Sequence, residues 1–217
     1  MSSQTNMDTI VVAKFKEDLG WLDSVKDDKN MIIYNKDPEC SDYTLNLPNV
    51  GRESHSYITF ILDNWDNLPY VTMFTQGFIG DHIGGADPCS YILQCIQEAR
   101  VFGLSQNMHS IEYDFSIYNF GQQHCNAPTQ PFRNMVFGDW LNYIMDSKYM
   151  FNCVGIKWYH GAIFAASRSA IKEIPRDVWV KILESLEYGN NPVTAHYFER
   201  GIFYLLNWFR DRNRKVL

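Results

Sequence analysis

An α/β fold with a mixed central sheet flanked by helices is predicted by three features of this chain. They are two short apolar strands with a long spacer between them, a β-α-β rhythm through residues 51–75, and later segments that are apolar on one helical face. Residues 9–13 read Thr-Ile-Val-Val-Ala, the continuous apolar run of a strand buried on both faces. Residues 31–34, Met-Ile-Ile-Tyr, give a second strand that ends in Asn35, Lys36, Asp37 and Pro38. The spacer carries the Leu19, Trp21, Leu22 cluster and is about a helix long, so the two strands are expected to run parallel. Ligands of such sheets collect beyond the carboxyl ends of the strands, here residues 14–18 and 35–37.

Tyr57, Ile58, Ile61, Leu62 and Trp65 then share one helical face behind the polar opening 51–55, and residues 66–69, Asp-Asn-Leu-Pro, end that helix. Residues 70–75 return as a strand and run into a loop over 76–88 that carries four glycines, two aspartates and His82. Asp87 and Pro88 open the next helix, whose Ile92, Leu93, Ile96 and Ala99 recur on one face. Residues 111–117 alternate in part, and 122–133 form a polar loop with His124 and Cys125. Val136, Phe137, Trp140, Leu141, Ile144 and Met145 mark another helix, and residues 162–166 a core strand followed by a turn or helix from Ser167. Pro175 introduces a helix bearing Val178, Trp179, Ile182, Leu183 and Leu186. Asn191 and Pro192 begin the last one, which carries Ile202, Leu205, Leu206 and Phe209 inward. With no repeat, low-complexity tract or linker, residues 1–217 read as a single domain.

Composition narrows the function classes. The 217 residues hold 19 Lys plus Arg against 25 Asp plus Glu, a formal charge of −6, so no global field favours nucleic acid or anionic lipid. Arg210, Arg212, Arg214 and Lys215 against Asp211 are a local exception, either a solvated helix end or a binding surface. Cys40, Cys89, Cys95, Cys125 and Cys153 are odd in number and scattered, which suits a reducing compartment. No apolar segment has membrane-spanning length, and residues 1–9 lack a signal-peptide core. Dinucleotide, phosphate-loop, nucleophile-elbow and zinc-helix motifs are all missing, which lowers dehydrogenase, nucleotide hydrolase and serine hydrolase readings.

The residues able to carry chemistry each have a plainer alternative. Asp81 and His82 are the candidate metal ligands, suited to Mn²⁺ or Mg²⁺ with positions left open for phosphates; the alternative is a solvated glycine-rich turn. Arg52 can hold a phosphate or ribose with Glu53 orienting it, or the two can form a simple ion pair. His196 and Glu199, three apart on the last helix, are the candidate catalytic pair, or ordinary helix polarity. His160 and Gly161 stand where a ligand would approach closely, or His160 is a hydrogen-bonded core histidine.

Several stretches resemble a family of small GT-A glycosyltransferase-like domains, among them the amino-terminal domain of a multidomain protein of large viruses that infect green algae. They are 10–21 (Ile-Val-Val-Ala-Lys-Phe-Lys-Glu-Asp-Leu-Gly-Trp), 33–36, 47–57, 66–77, 158–168 and 191–200, in that order along most of the chain. The resemblance implies a GT-A-like fold with a nucleotide-sugar pocket at the strand ends. It places Ala13, Lys14 and Phe15 near the base, with Asn35, Lys36 and Asp37 beside them. Arg52, Gln76, Gly77, His160 and Gly161 would also meet the donor, and Glu199 the donor sugar and acceptor. The family's metal-binding Asp-x-Asp is replaced by residues 75–77, Thr-Gln-Gly, with Asp81 and His82 slightly later.

The function it implies is metal-dependent transfer of a hexose or deoxyhexose from a UDP-sugar to a glycan hydroxyl, with Mn²⁺ or Mg²⁺ as cofactor. Glu199 would act as the base of an inverting reaction or as an orienting group in a retaining one; retention is expected, because no acid-rich loop offers a base. The alternative is a degenerate GT-A domain that binds glycan or nucleotide without chemistry. A location in the cytoplasm of an infected host cell, no nucleic-acid partner, and further domains of the same polypeptide complete the expectation.

Overall fold

A computed structural model describes residues 7–26, 28–40, 42–43, 45–105, 132, 135–146 and 162–215. Its four strands are β1 (Thr9–Lys14), β2 (Asn30–Asn35), β3 (Val71–Gln76) and β4 (Phe164–Ser167), ordered β2-β1-β3-β4. β1 runs parallel to both neighbours and every one of its residues is buried, as its apolar run 10–13 requires, with Thr9 and Lys14 buried at its two ends. β2 is an edge strand and only its end is buried. β4 joins β3 antiparallel, so the sheet is mixed. The expected α/β class and the mixed sheet flanked by helices are both present.

Register brings the ends of three strands together. Ala13 stands between Tyr34 and Gln76, and Lys14 is level with Asn35. Beyond the last pairs, Lys36 N donates to Lys14 O at 2.8 Å and Gly77 N to Ala13 O at 2.9 Å. The chain leaves β1 toward β2 on one side and later returns to β3 on the other. A crevice therefore opens between the diverging connections at the carboxyl end of β1.

The helices are α1 (Arg52–Asp63), α2 (Pro88–Phe102), α3 (Phe137–Ile144), α4 (Arg168–Glu173), α5 (Arg176–Leu186) and α6 (Val193–Lys215). α1 packs on β1, β3, α5 and α6, while α2 packs on β3 and β4. An aromatic chain ties these layers together. Phe74 of β3 lies 5.2 Å from the Tyr57 ring, 6.2 Å from Phe60 and 4.9 Å from Phe164, which in turn meets Phe203 of α6 at 5.8 Å. Such pairs add on the order of 1 kcal/mol each beyond their buried area.

Cap chemistry follows the sequence closely. Asp87 accepts the Ser90 N–H at 2.8 Å with Pro88 at the first helical position of α2, and Ser167 accepts the Ala170 N–H at the start of α4. Two segments differ from the sequence-based expectation. Among the described residues of 15–29 there is a 3-10 turn, Gly20–Leu22, and no α-helix. Trp21, partly buried against the core, donates from Nε1 to Gly77 O at 2.8 Å and its carbonyl accepts from Cys89 Sγ, which ties the spacer to the loop after β3. The late core strand starts at Phe164 and not at Ala162, because Ala162 has a left-handed φ of 48° that turns the chain first. The partly alternating 111–117 segment lies outside the described residues.

Candidate functional site

The crevice at the carboxyl end of β1 is a cleft of about 340 Å³ lined by Ala13, Lys14, Phe15, Glu17, Lys36, Asn49, Arg52, Glu53, Gln76, Asn190 and Asn191. Strand ends supply Ala13, Lys14 and Gln76, while the first turn of α1 supplies Arg52 and Glu53. Asn190 and Asn191 come from the α5–α6 connection, held against α1 by Gly51 N to Gly189 O (2.9 Å) and Arg52 N to Asn190 O (3.2 Å).

The entry to α1 adopts an unusual backbone. Gly51 and Arg52 both have left-handed φ, 62° and 51°. A Cβ on Gly51 would meet the Leu186 Cβ and carbonyl oxygen at 2.8 Å and the His55 Cβ at 2.9 Å, so glycine is required for space as well as conformation. Arg52 is not glycine, and its conformation costs roughly 1–2 kcal/mol, a strain held by its surroundings. The ammonium of Lys36 holds it, donating to the carbonyls of both Val50 and Arg52. Lys36 thus pins the turn that brings Arg52 to the cleft, and protonated it keeps a third N–H.

Charge in the cleft is concentrated and partly desolvated. Lys14 is buried, its Nζ 5.1 Å above the Tyr43 ring and 3.3 Å from Phe15 O. Burial lowers the Lys36 pKa to about 7, against an opposing pull from the Glu53 carboxylate. Burial also raises the Glu53 pKa; Arg52, 3.4 Å away, opposes this and the charge of Glu199 adds to it. Glu17 is committed differently. Its Oε2 accepts the Phe15 N–H at 2.6 Å, and a Cβ on Gly77 would lie 2.7 Å from that same oxygen, so Gly77 makes room for it.

Of the residues picked out by sequence, Ala13, Lys14, Phe15, Lys36, Arg52 and Gln76 line the cleft together. Asn35, Asp37 and Gly77 support it from behind. Asn35 Nδ2 donates to Asp37 O, Cys40 O and Asn46 Oδ1, Asp37 accepts the Glu39 N–H, and Gly77 bridges Ala13 and Trp21. His196 and Glu199 are buried on α6 and reach the cleft indirectly. His196 Nε2 bonds Asn191 Oδ1 at 2.9 Å, and Glu199 lies 3.9 Å from His196 Nδ1 and 3.2 Å from Arg200. His160 and Gly161 lie outside the described residues, as do His124, Cys125 and Cys153.

Asp81 and His82 do not line the cleft. Their side chains, 64% and 29% exposed, face each other at 3.5 Å on the loop after β3. No group of three or more His, Cys, Asp or Glu able to hold a metal occurs among the described residues. Two mutually paired, solvated side chains do not fit a metal centre that the protein holds by itself.

Sequence reasoning named Glu53 only as a partner orienting Arg52 and did not single out Glu17, Asn49, Asn190 or Asn191 as site residues. Glu53 was signalled by its place beside Arg52, whereas Asn191 reads as the cap of the last helix and nothing in the sequence directs Asn190 to the strand ends. For Glu17 the signal lies in its partners, the Phe15 amide and Gly77, which only the folded loop brings together.

A family model described as "Protein of unknown function (DUF3431)" matches residues 10–82. The matched segment runs from β1 through α1 and β3 and contains every lining residue of the cleft except Asn190 and Asn191. No curated protein and no solved structure matches the chain.

Proposed function

We propose that the cleft binds a UDP-sugar and that the protein transfers its hexose or deoxyhexose to a glycan hydroxyl. The observation that carries this reading is the convergence of Lys14, Lys36 and Arg52 with the buried carboxyl group of Glu53 at the switch point of a parallel sheet. A diphosphate needs cationic, hydrogen-bonding walls, and its departure as a leaving group needs the same groups more strongly as charge develops on it. Phe15, partly exposed at the rim, offers a ring for the base.

The acid in the wall favours an inverting displacement. In that step the acceptor hydroxyl oxygen attacks the anomeric carbon, its proton passes to the Glu53 carboxylate, and the bond from the anomeric carbon to the diphosphate oxygen breaks to release UDP. Glu17 is less suited, since its Oε2 already accepts the Phe15 amide. A raised pKa brings Glu53 closer to the proton affinity that a base needs near neutral pH. Glu199 and His196 then act as positioning residues, the first through its charge on Glu53 and the second through Asn191. The Mn²⁺ or Mg²⁺ implied by the resemblance has no matching donor set among the described residues, and no step above depends on it.

The test is a panel of nucleotide sugars assayed for donor hydrolysis and transfer, followed by the anomeric configuration of the product by NMR. Glu53→Gln should reduce turnover by about 10²- to 10⁴-fold while UDP affinity holds. Turnover equal to wild type, or a product of retained configuration, would remove Glu53 from the base role.

A further inference from the structure

At the opposite end of the sheet, where β3 begins and β4 ends, lies a second cavity of about 430 Å³, about 17 Å from the first along the strands. Its walls carry three arginines, Arg100, Arg168 and Arg210, with one acid, Glu173, and the hydroxyl groups of Ser167 and Ser169. The arginines are not equivalent. Arg100 is neutralised by the buried Asp8, with Nε at 3.1 Å and Nη2 at 2.5 Å. Arg210 donates to Phe102 O and Asn207 Oδ1 and has Asp211 at 3.9 Å.

Arg168 has no such partner. Its Nε is shielded from solvent without a hydrogen bond among the described residues, and its guanidinium forms no ion pair among them. That shielded Nε is out of a ligand's reach, whereas the two terminal nitrogens, which make no hydrogen bond among the described residues, offer four donors in a fixed fork to a planar or tetrahedral oxyanion. Arg168 is also a wall of an adjoining cavity of about 330 Å³ that contains Asn30, Asn64 and Asn67. Asn30 and Asn64 use their amide N–H groups on Thr9 Oγ1 and the Phe60 carbonyl, which leaves the amide oxygens as acceptors for ligand hydroxyls. Tyr70 and Phe102 stand exposed at the rim of the larger cavity. We propose that this paired groove is a second binding site, in which Arg168 holds the phosphate or carboxylate of a hydroxyl-bearing small molecule such as an acidic or phosphorylated sugar.

The experiment is calorimetric titration of the full chain with glucose 1-phosphate, glucuronate and neutral glucose. At least one anionic probe should bind, more tightly than glucose, and the better of the two tells phosphate from carboxylate. Arg168→Gln should weaken that probe by about tenfold or more. Arg168→Lys, which keeps the charge and loses the fork, should weaken it similarly and serves if the glutamine variant does not fold. The same titrations with UDP present in excess should leave the probe's affinity for this groove unchanged; that control keeps the result separate from the fate of the UDP-sugar reading. Binding unaffected by both Arg168 variants, glucose binding as tightly as the anions, or no binding of either anion would overturn the proposal.

Discussion

A lysine amine in the cleft wall, donating to two backbone carbonyls, sets the geometry through which Arg52 reaches the site. Lys36 holds the carbonyls of Val50 and Arg52 and so keeps two consecutive left-handed residues in place at the entry of α1. Gly51→Ala should therefore destabilise the fold by about 2 kcal/mol or more, since it adds the left-handed penalty to a 2.8 Å clash with Leu186; chemical denaturation measures this. His55, one turn along α1, is buried with its Nδ1 unpartnered among the described residues, and burial with the nearby Lys36 charge lowers its pKa to about 4. The folded chain thus binds that proton less tightly than the unfolded chain does. This contribution is silent above pH 6.5 and costs stability as pH falls from 6.5 toward 4, up to roughly 3 kcal/mol. Thermal unfolding across that range should show the loss, and His55→Gln should flatten it; a slope equal to wild type would assign the acid sensitivity elsewhere.

At the scale of elements, local chemistry was legible where one element decided it. The Asp87 and Pro88 start of α2, the Ser167 start of α4 and the apolar run 10–13 of β1 each needed only their own few residues. Asp87→Ala should accordingly lower the midpoint of thermal unfolding and leave UDP binding unchanged, because that carboxylate caps the helix and lies outside the cleft. The β1–β2 spacer was misleading because its apolar cluster serves the loop after β3. Trp21 is held there by the Gly77 carbonyl, a partner 56 positions away that periodicity does not reveal. Cleft residues were legible at strand ends, where topology alone directs ligands, as with Lys14 and Lys36. Glu17, Asn190 and Asn191 were not, since a long-range approach of the α5–α6 connection to α1 and a contact with Gly77 bring them in. Asp81 read as a ligand because its carboxylate stands beside His82 in a glycine-rich loop. It pairs with His82 and does not line the cleft, and Asp81→Asn should leave UDP affinity as it was.

Across the whole molecule the sheet separates two chemistries, a cleft of cations and acids at the carboxyl ends of the parallel strands and an arginine groove at the other end. The matched family segment, residues 10–82, holds every lining residue of the first cleft except Asn190 and Asn191. No helix among the described residues is long and apolar enough to cross a membrane. The central claim, that the β1 cleft binds a nucleoside diphosphate through its basic wall, is tested most directly by titrating UDP into the wild-type chain and into Arg52→Gln, each with EDTA and with Mn²⁺. The account predicts that wild type binds UDP in EDTA and that Arg52→Gln weakens it by about tenfold in both conditions. Absence of UDP binding to wild type under both conditions, or equal affinities of wild type and variant, would contradict it.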